Sequence, residues 1–219
     1  MTPGAPFVGL DPTQPIFVFD VESIGLHGEA YAVGGGVYKM GDPSFEFTFS
    51  CSPDAAAGED SDRKWVAENC PPIAETCNTP AEVAERFWMH WQAARVAHPT
   101  MLTMAECLWP VESNFLTSCI KADVQGRGFN GPYPFHDVTT LILAASLDPM
   151  ATYPRHDTEL PNHHPLADAR LSARLATASM LKLRARYHVA EAAYQESWRE
   201  EHDTNTLQAR TVSLDKITK

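Results

Sequence analysis

The most informative segment of the chain is Ile16-Phe17-Val18-Phe19-Asp20-Val21-Glu22-Ser23-Ile24-Gly25. Its short apolar run is rich in β-forming residues and predicts a buried strand that ends at Asp20. Because side chains alternate along a strand, Asp20 and Glu22 are expected on the same face. Two adjacent carboxylates repel each other and are costly to bury unless a cation neutralises them. The segment therefore predicts either a divalent-cation site or two solvated acids in the turn after the strand.

Around this strand the sequence predicts a mixed α/β domain. An apolar, glycine-containing stretch at 30–38 and a period-two alternation at 45–49 indicate two strands, joined by a turn at 41–43 and forming an antiparallel meander with the first strand. Residues 50–80 are predicted to form a long loop with one short helix. Further elements are predicted at 79–97 (helix capped by Thr79), 101–105 (strand), from 110 (helix), 137–145 (helix) and 166–187 (helix). Strands followed by alternating strands and helices indicate a central β-sheet flanked by α-helices.

The chain divides into three predicted parts. Residues 1–14 form a proline-rich, irregular lead-in, residues 15–190 a single domain, and residues 191–219 a charged C-terminal extension, whose last part (203–219) is expected to be loose or packed only in an assembly. No apolar run approaches the ~20 residues of a membrane span, and the N-terminus lacks signal-peptide features. The five cysteines form no CxxC pair and are expected as reduced thiols. These features predict a cytoplasmic protein with no membrane association.

The charge balance restricts the classes of partner. The 17 Lys and Arg residues against 28 Asp and Glu give a net charge of −11. Phosphate contacts need Lys and Arg, so this balance argues against a protein that grips nucleic acid by charge alone. An enzyme whose acidic site meets phosphate through bound divalent cations remains compatible with it.

A second group of polar residues lies at the entry to the last predicted helix. Asp168 falls in its first turns, after Pro165, and His163 precedes it in a Pro/His-rich loop. A histidine there can titrate near neutral pH and accept a proton from water. A surface or packing role is the alternative, and the adjacent His164 leaves the choice of histidine open.

A third acid is expected where the strand at 101–105 gives way to a helix. Glu106 directly follows the strand, and Glu112 lies in the first helical turn after Pro110. The helix dipole favours an acid in that turn by roughly 0.3–1 kcal/mol, which gives Glu112 a structural explanation that Glu106 lacks.

Together these segments resemble the motifs of the DEDDh 3′–5′ exonucleases, a ribonuclease H-like group that includes proofreading subunits and ribonuclease T. Residues 20–25 are similar to its first motif, D-x-E-[ST]-x-G, and residues 163–169 to its third, H-x-x-x-x-D-A. Residues 111–116 resemble the second motif, with an acid and a Phe-Leu pair, and 136–141 resemble the stretch between motifs two and three. The resemblance covers about residues 15–180. The long insertion at 50–80 is typical of a divergent, small stand-alone member.

The resemblance implies a ribonuclease H-like fold and a two-metal-ion mechanism that releases nucleoside 5′-monophosphates from 3′ ends of single-stranded RNA or DNA. Two Mg²⁺ or Mn²⁺ ions would be held by Asp20, Glu22, Glu112 and Asp168, with Glu106 as the alternative to Glu112. His163 would act as the general base, so activity should fall at low pH. The second-motif acid is usually Asp in the family; the Phe-Leu context favours Glu112 here.

Substrate contacts follow from the same resemblance. Ser23, Ile24 and Gly25 are expected beside the terminal nucleotide. Trp109 is a candidate for stacking on an unpaired base, with buried packing as its alternative, and Tyr133 and Trp65 are comparable candidates. The basic residues of the last helix are either a solvated face or strand contacts; they are Arg170, Arg174, Lys182, Arg184 and Arg186.

Three alternatives stay open at this stage. The low basic content would suit a nuclease specific for dinucleotides or short oligonucleotides. The Glu in the second motif would suit a non-catalytic nucleic-acid-binding module on the same fold. The long Trp-bearing loop and the acidic C-terminus are compatible with a homodimer.

Overall fold

The computed structural model describes residue 11 and residues 13–217, with side chains described as far as residue 199. The lead-in expected at 1–14 therefore lies almost wholly outside the described residues. In the part of the chain that is described, no helix is both long enough and apolar enough to cross a membrane.

The centre of the fold is a five-stranded mixed sheet with strand order β3-β2-β1-β4-β5. Its strands are β1 (Ile16–Ser23), β2 (Ala30–Lys39), β3 (Asp42–Ser50), β4 (Leu102–Ala105) and β5 (Phe135–Asp137). The first three strands form an antiparallel meander, whereas β4 pairs parallel to β1 and β5 parallel to β4. This arrangement confirms the predicted fold class, α/β with a mixed central sheet flanked by helices, and it is compatible with a ribonuclease H-like fold.

Six helices flank the sheet in the described part of the chain. They are α1 (Asp60–Asn69), α2 (Pro80–Ala97), α3 (Val111–Lys121), α4 (Val124–Arg127), α5 (Val138–Ala144) and α6 (Pro165–Ile217), with 3₁₀ turns at Pro53–Ala55 and Asp157–Glu159. Thr79 caps α2 as predicted, because its side chain accepts a hydrogen bond from the Glu82 backbone N–H at 3.2 Å. The short helix expected within residues 50–80 is α1.

Alternation along β1 divides the core into two layers. Phe17, Phe19 and Val21 face the layer that contains α2 and α3. Ile16 and Val18 face the layer that contains α5 and α6. Asp20 and Glu22 continue the second set, so both carboxylates lie on the α6 side of the sheet. Because side chains alternate along β1, the two acids at its end share one face of the strand and lie next to the start of α6.

A glycine in β2 lets α6 approach the sheet at this point. Gly34 pairs with Asp20 in the register of β1 and β2. A Cβ atom at Gly34 would overlap the backbone nitrogen of Leu166, in the first turn of α6. The missing side chain therefore brings the first turn of α6, and with it Asp168, against the edge of the site.

The last helix is longer than predicted. It continues without interruption from Pro165 to Ile217, so the expected end near 187 is wrong. Residues 166–217 contain neither proline nor glycine, the two residues that most often end a helix. From residue 191 to residue 217 the chain continues α6.

Candidate active site

Five acidic side chains gather at the carboxyl end of β1. Burial, followed by the nearby carboxylates of Glu22, Asp168, Glu112 and Glu106, raises the pKa of Asp20 well above its usual value. β1 supplies Asp20 and Glu22, α6 supplies Asp168, the turn after β4 supplies Glu106, and the first turn of α3 supplies Glu112. The structure thus brings together the acids of all three sequence motifs.

Glu22 is strongly affected by the cluster. Burial is the main cause that raises its pKa to about 8, and the carboxylates of Asp168 and Glu112 raise it further. The Cys70 thiol lies 3.9 Å from Oε2 of Glu22 as a weak donor, which partly opposes that rise. Without a cation, a carboxyl with such a pKa keeps its proton in much of the folded protein at neutral pH.

Both second-motif candidates reach the cluster, but their surroundings differ. Glu112 begins α3 and is only 5% exposed, and its burial raises its pKa to about 7 despite backbone hydrogen bonds at Glu112 and Val21. Glu106 is less buried, and its Oε2 accepts a hydrogen bond from Ser172 at 2.7 Å. Both carboxylates thus accept hydrogen bonds, and the deeper burial of Glu112 beside Val21 is what favours it over Glu106 as a ligand.

Asp168 receives two donors from the preceding loop. Its Oδ2 accepts from the backbone N–H of His163 at 3.0 Å, and its Oδ1 accepts from Nη1 of Arg155 at 2.5 Å. The first bond ties the loop to the first turn of α6 and fixes the distance between the acid and the histidine. The second bond places the positively charged guanidinium of Arg155 beside the acids, and the sequence motifs did not indicate this contact.

His163 is the histidine that joins the acids. Ligand atoms of Glu22, His163 and Asp168 lie within 4.8 Å of one another, a grouping that could hold a metal ion. The exposed His163 has a left-handed backbone (φ 58°), and its ring centroid lies 5.3 Å from that of Trp65. His164 lies outside this grouping; it is half-buried, and burial lowers its pKa. The geometry therefore identifies His163, and not His164, as the histidine that lies with the acids, a choice that the sequence left open.

Two cavities meet at the acidic cluster and share Val21, Leu26 and Val111. The first, of about 390 Å³, is called the α1 cavity because it is bounded by Asp62 and Trp65 of that helix. It is also lined by Glu22, Ser23 and Gly25. The second, of about 440 Å³, is called the loop cavity and is lined by residues of the 148–164 loop. Its walls include Asp20, Glu106, Trp109, Glu112, Tyr153, Arg155, Asn162 and Asp168.

The donor set fits hard divalent cations. Carboxylate oxygens are the ligands that Mg²⁺ and Mn²⁺ prefer, and several of them converge here in partly buried positions. Their raised pKa values show that the cluster is electrostatically unfavourable when all its members are ionised without a cation. Asp20, Glu22, Glu112, Asp168 and Glu106 can therefore provide a metal centre.

The predicted substrate contacts are only partly placed at the site. Ser23 and Gly25 line the α1 cavity, whereas Ile24 is fully buried in the core and lines neither cavity. Trp109 is 70% exposed and lines the loop cavity, which excludes the alternative of buried packing. Tyr133 is exposed but lines neither cavity.

Most of the basic residues of α6 are already paired. Arg170 contacts Glu46, Arg174 contacts Glu159, and Arg184 contacts Asp11. Arg186 donates to the hydroxyl of Ser146. These pairings favour a structural role for this face over the strand contacts considered from the sequence.

Sequence reasoning missed three residues at the site. Arg155 and Asp62 lie in irregular or inserted segments that no motif covers, and Leu26 follows the first motif by one position beyond Gly25. Leu26 is 65% exposed and lines both cavities. An apolar residue just after the first motif was the one signal available in the sequence.

Comparisons with known proteins add little at the level of residues. No protein-family model matches the chain, and no curated protein matches it. A similar solved structure is described as "3′-end specific recognition of histone mRNA stem-loop by 3′-exonuclease", with a TM-score of 0.45 and 12% identity. The match covers 77% of this chain and 64% of that one. At this distance the likeness assigns no activity, so the function has to be inferred from the site.

Proposed function

We propose that this chain is a metal-dependent 3′–5′ exonuclease of the DEDDh type, acting on single-stranded RNA or DNA ends. The observation that carries the proposal is the convergence of acids from three separate segments with His163, at the point where two cavities meet. The alternative, in which Asp20 and Glu22 are two solvated acids in a turn, does not explain why Glu112 is buried beside them or why the His163 backbone bonds to Asp168.

The four acids Asp20, Glu22, Glu112 and Asp168 would hold two Mg²⁺ or Mn²⁺ ions. When bound, such ions act as Lewis acids toward phosphate and lower the pKa of water. His163 stands at the exposed rim, where its neutral imidazole can accept a proton from the attacking water. The hydrogen bond from its backbone N–H to Asp168 holds the loop, and with it the imidazole, beside that acid.

The α1 cavity suits the terminal nucleotide. Its walls offer exposed apolar side chains, Leu26 and Trp65, next to the polar groups of Glu22 and Ser23. A base can lie against the apolar pair while the sugar and phosphate face the acids, and an indole contact is worth about 1–3 kcal/mol per base. Cleavage next to a nucleotide held in this way would release a nucleoside 5′-monophosphate.

Short oligonucleotides are a second candidate substrate. Among the residues that line the two cavities, a single Arg or Lys is found, so a long strand would gain few ionic contacts. A protein with a net charge of −11 also repels a long polyanion. Both features favour a substrate of a few nucleotides over a long one.

The test is digestion of 5′-labelled single-stranded RNA and the matching DNA with Mn²⁺, Mg²⁺ or EDTA. We expect a ladder that shortens from the 3′ end, requires metal and disappears in Asp20→Asn. Dinucleotides and hexanucleotides are digested in parallel to separate the two substrate classes. If no substrate is cut with either metal while the folded protein still binds a strand, the exonuclease proposal fails and the non-catalytic binding module becomes the better explanation.

A further inference from the structure

Among the described residues, the arginine that contacts an acid of the cluster is Arg155 of the 148–164 loop. Its Nη1 donates both to Oδ1 of Asp168, at 2.5 Å, and to the carbonyl oxygen of Glu159, at 2.8 Å. Other arginines near α6 are used differently. Both Arg170 and Arg174 use Nε and Nη2 together to grip one carboxylate. Arg155 thus differs from both, because a single nitrogen, Nη1, makes its hydrogen bonds to Asp168 and Glu159.

The remaining donors of Arg155 are uncommitted. Within the described part of the chain, its Nε and Nη2 have no hydrogen-bond partner, although the side chain is only 21% exposed. Arg155 lines the loop cavity together with the exposed Trp109 and with Tyr153. A guanidinium is a planar fork whose donors can bind two oxygens of one phosphate. Nη1 can therefore retain Asp168 while the rest of the group serves a ligand.

We propose that Arg155 binds a phosphate group of the strand in the loop cavity, directly upstream of the terminal nucleotide. This inference rests on the proposed function and deepens it, since it names a strand contact that the three motifs do not contain. The contact also meets an electrostatic need: five acids repel a polyanion, and Arg155 supplies a positive charge in the loop cavity beside them. The phosphate is either an internal diester or the 5′-phosphate of a dinucleotide.

The alternative is that Arg155 only positions Asp168, and salt dependence distinguishes the two roles. The affinity of a single-stranded hexaribonucleotide is measured at several salt concentrations with Ca²⁺ as the cation, and a gel verifies that the strand stays uncut. Each phosphate contact with a basic residue contributes about 0.7 to the slope of log K against log salt. We expect Arg155→Gln to lower the affinity at least fivefold and the slope by about 0.7.

Two further variants control for charge and folding. Arg155→Lys keeps the charge, so its slope should match that of the wild type while its affinity is weaker, because Lys lacks the fork. Arg170→Gln removes an arginine of α6 that is paired with Glu46 outside both cavities, and its slope should not change. Thermal melting of each variant establishes that it is folded before its affinity is interpreted.

Uncharged methylphosphonate linkages identify the phosphate. Placed at each position of the hexanucleotide in turn, the linkage should weaken wild-type binding most at one position and should have no effect there in Arg155→Gln. A dinucleotide with and without its 5′-phosphate tests the second source in the same way. Equal salt slopes with identical methylphosphonate profiles would overturn the inference and leave Arg155 as a positioning residue. Wild-type protein that neither binds nor cuts any strand would overturn the proposed function as well, which the digestion assay detects separately.

Discussion

Asp20 and Gly34 are direct partners across β1 and β2, and the first turn of α6 lies over the glycine. The acid and the helix that delivers Asp168 are therefore held together through a residue that has no side chain. The glycine acts on the site by close approach, because a Cβ atom there would occupy the space of the Leu166 backbone.

Gly34→Ala should push α6 away from the sheet. We expect a loss of about 1–3 kcal/mol in the free energy of unfolding, as is usual for overpacking, together with weaker Mn²⁺ binding. Chemical denaturation and calorimetric titration measure the two effects. Gly36→Ala is the matched control: its Cβ would meet the backbone of Phe45 on β3, so it should destabilise the protein without weakening the metal site. Equal Mn²⁺ affinities in the two variants would contradict the role given to Gly34.

Removing metal should make stability depend on pH in a defined direction. Folding raises the pKa of Glu22 from 4.5 to about 8 and that of Glu112 from 4.5 to about 7. Groups with raised pKa values stabilise the fold fully below the unfolded pKa, and this contribution is lost as pH rises through 7 to 8. In EDTA the melting temperature should therefore fall between pH 5.5 and 8.5. Mn²⁺ should raise the melting temperature most at the alkaline end.

The matched variant for this prediction is Glu22→Gln, which removes the titrating group. Its melting temperature in EDTA should fall less over the same pH range, and Mn²⁺ should stabilise it less. Scanning fluorimetry at five pH values suffices for the comparison. A melting temperature in EDTA that climbs with pH would show that the acids are not crowded as described.

Glu112 and Glu106 should respond differently to neutralisation. Glu112→Gln is expected to reduce exonuclease activity by at least about 100-fold, since changes to groups that merely support a metal ligand already cost 10–100-fold. Glu106→Gln should cost less, because Glu106 is already bonded to Ser172. Glu82→Gln, also in the first turn of a helix, serves as the control and should retain activity. Activity and Mn²⁺ affinity are measured together, and the reverse ranking would make Glu106 the ligand.

Trp65→Ala should weaken binding of the terminal nucleotide. Loss of one base contact corresponds to about 1–3 kcal/mol, or roughly 5- to 150-fold in affinity. Trp65→Phe should recover part of that loss because an aromatic face remains. An oligonucleotide with an abasic 3′ end provides the comparison: it should bind less tightly than the normal strand to the wild type, and equally well to Trp65→Ala. If Trp65→Ala still discriminated between the two strands, the base would have to bind elsewhere.

The sequence could place the acids near one another because their positions follow from local periodicity and motif order. Alternation along β1 is sufficient to put Asp20 and Glu22 on one face, and Asp168 is close to both once α6 begins at Pro165. Ile24 was expected beside the nucleotide only from the family resemblance, and strand alternation did not indicate its burial. Continued strand geometry would have placed it beside Glu22, but the register shifts between Glu22 and Ser23, and the chain turns the side chain into the core.

Arg155 and the cavities were outside the reach of sequence patterns for a different reason. Arg155 lies in an irregular loop, where neither helix nor strand period says which way a side chain points. Its position is determined by tertiary contacts with Asp168 and Glu159, across 13 and 4 residues of chain. For Trp109 the choice between stacking and buried packing stayed open for a similar reason: it precedes α3 instead of lying on that helix, so helical spacing gave no information about its exposure.

The length of α6 has a practical consequence for experiments. At about 1.5 Å per residue, its 53 residues extend roughly 80 Å along one axis, and Asp168 lies at the near end. A fluorophore or surface tether attached near Tyr194, an exposed position, would share one continuous helix with the acid and yet be some 40 Å from it along that axis. Single-molecule or immobilised assays could thus follow the shortening of a nucleic-acid strand with the label at the far end of α6, where it does not obstruct either cavity.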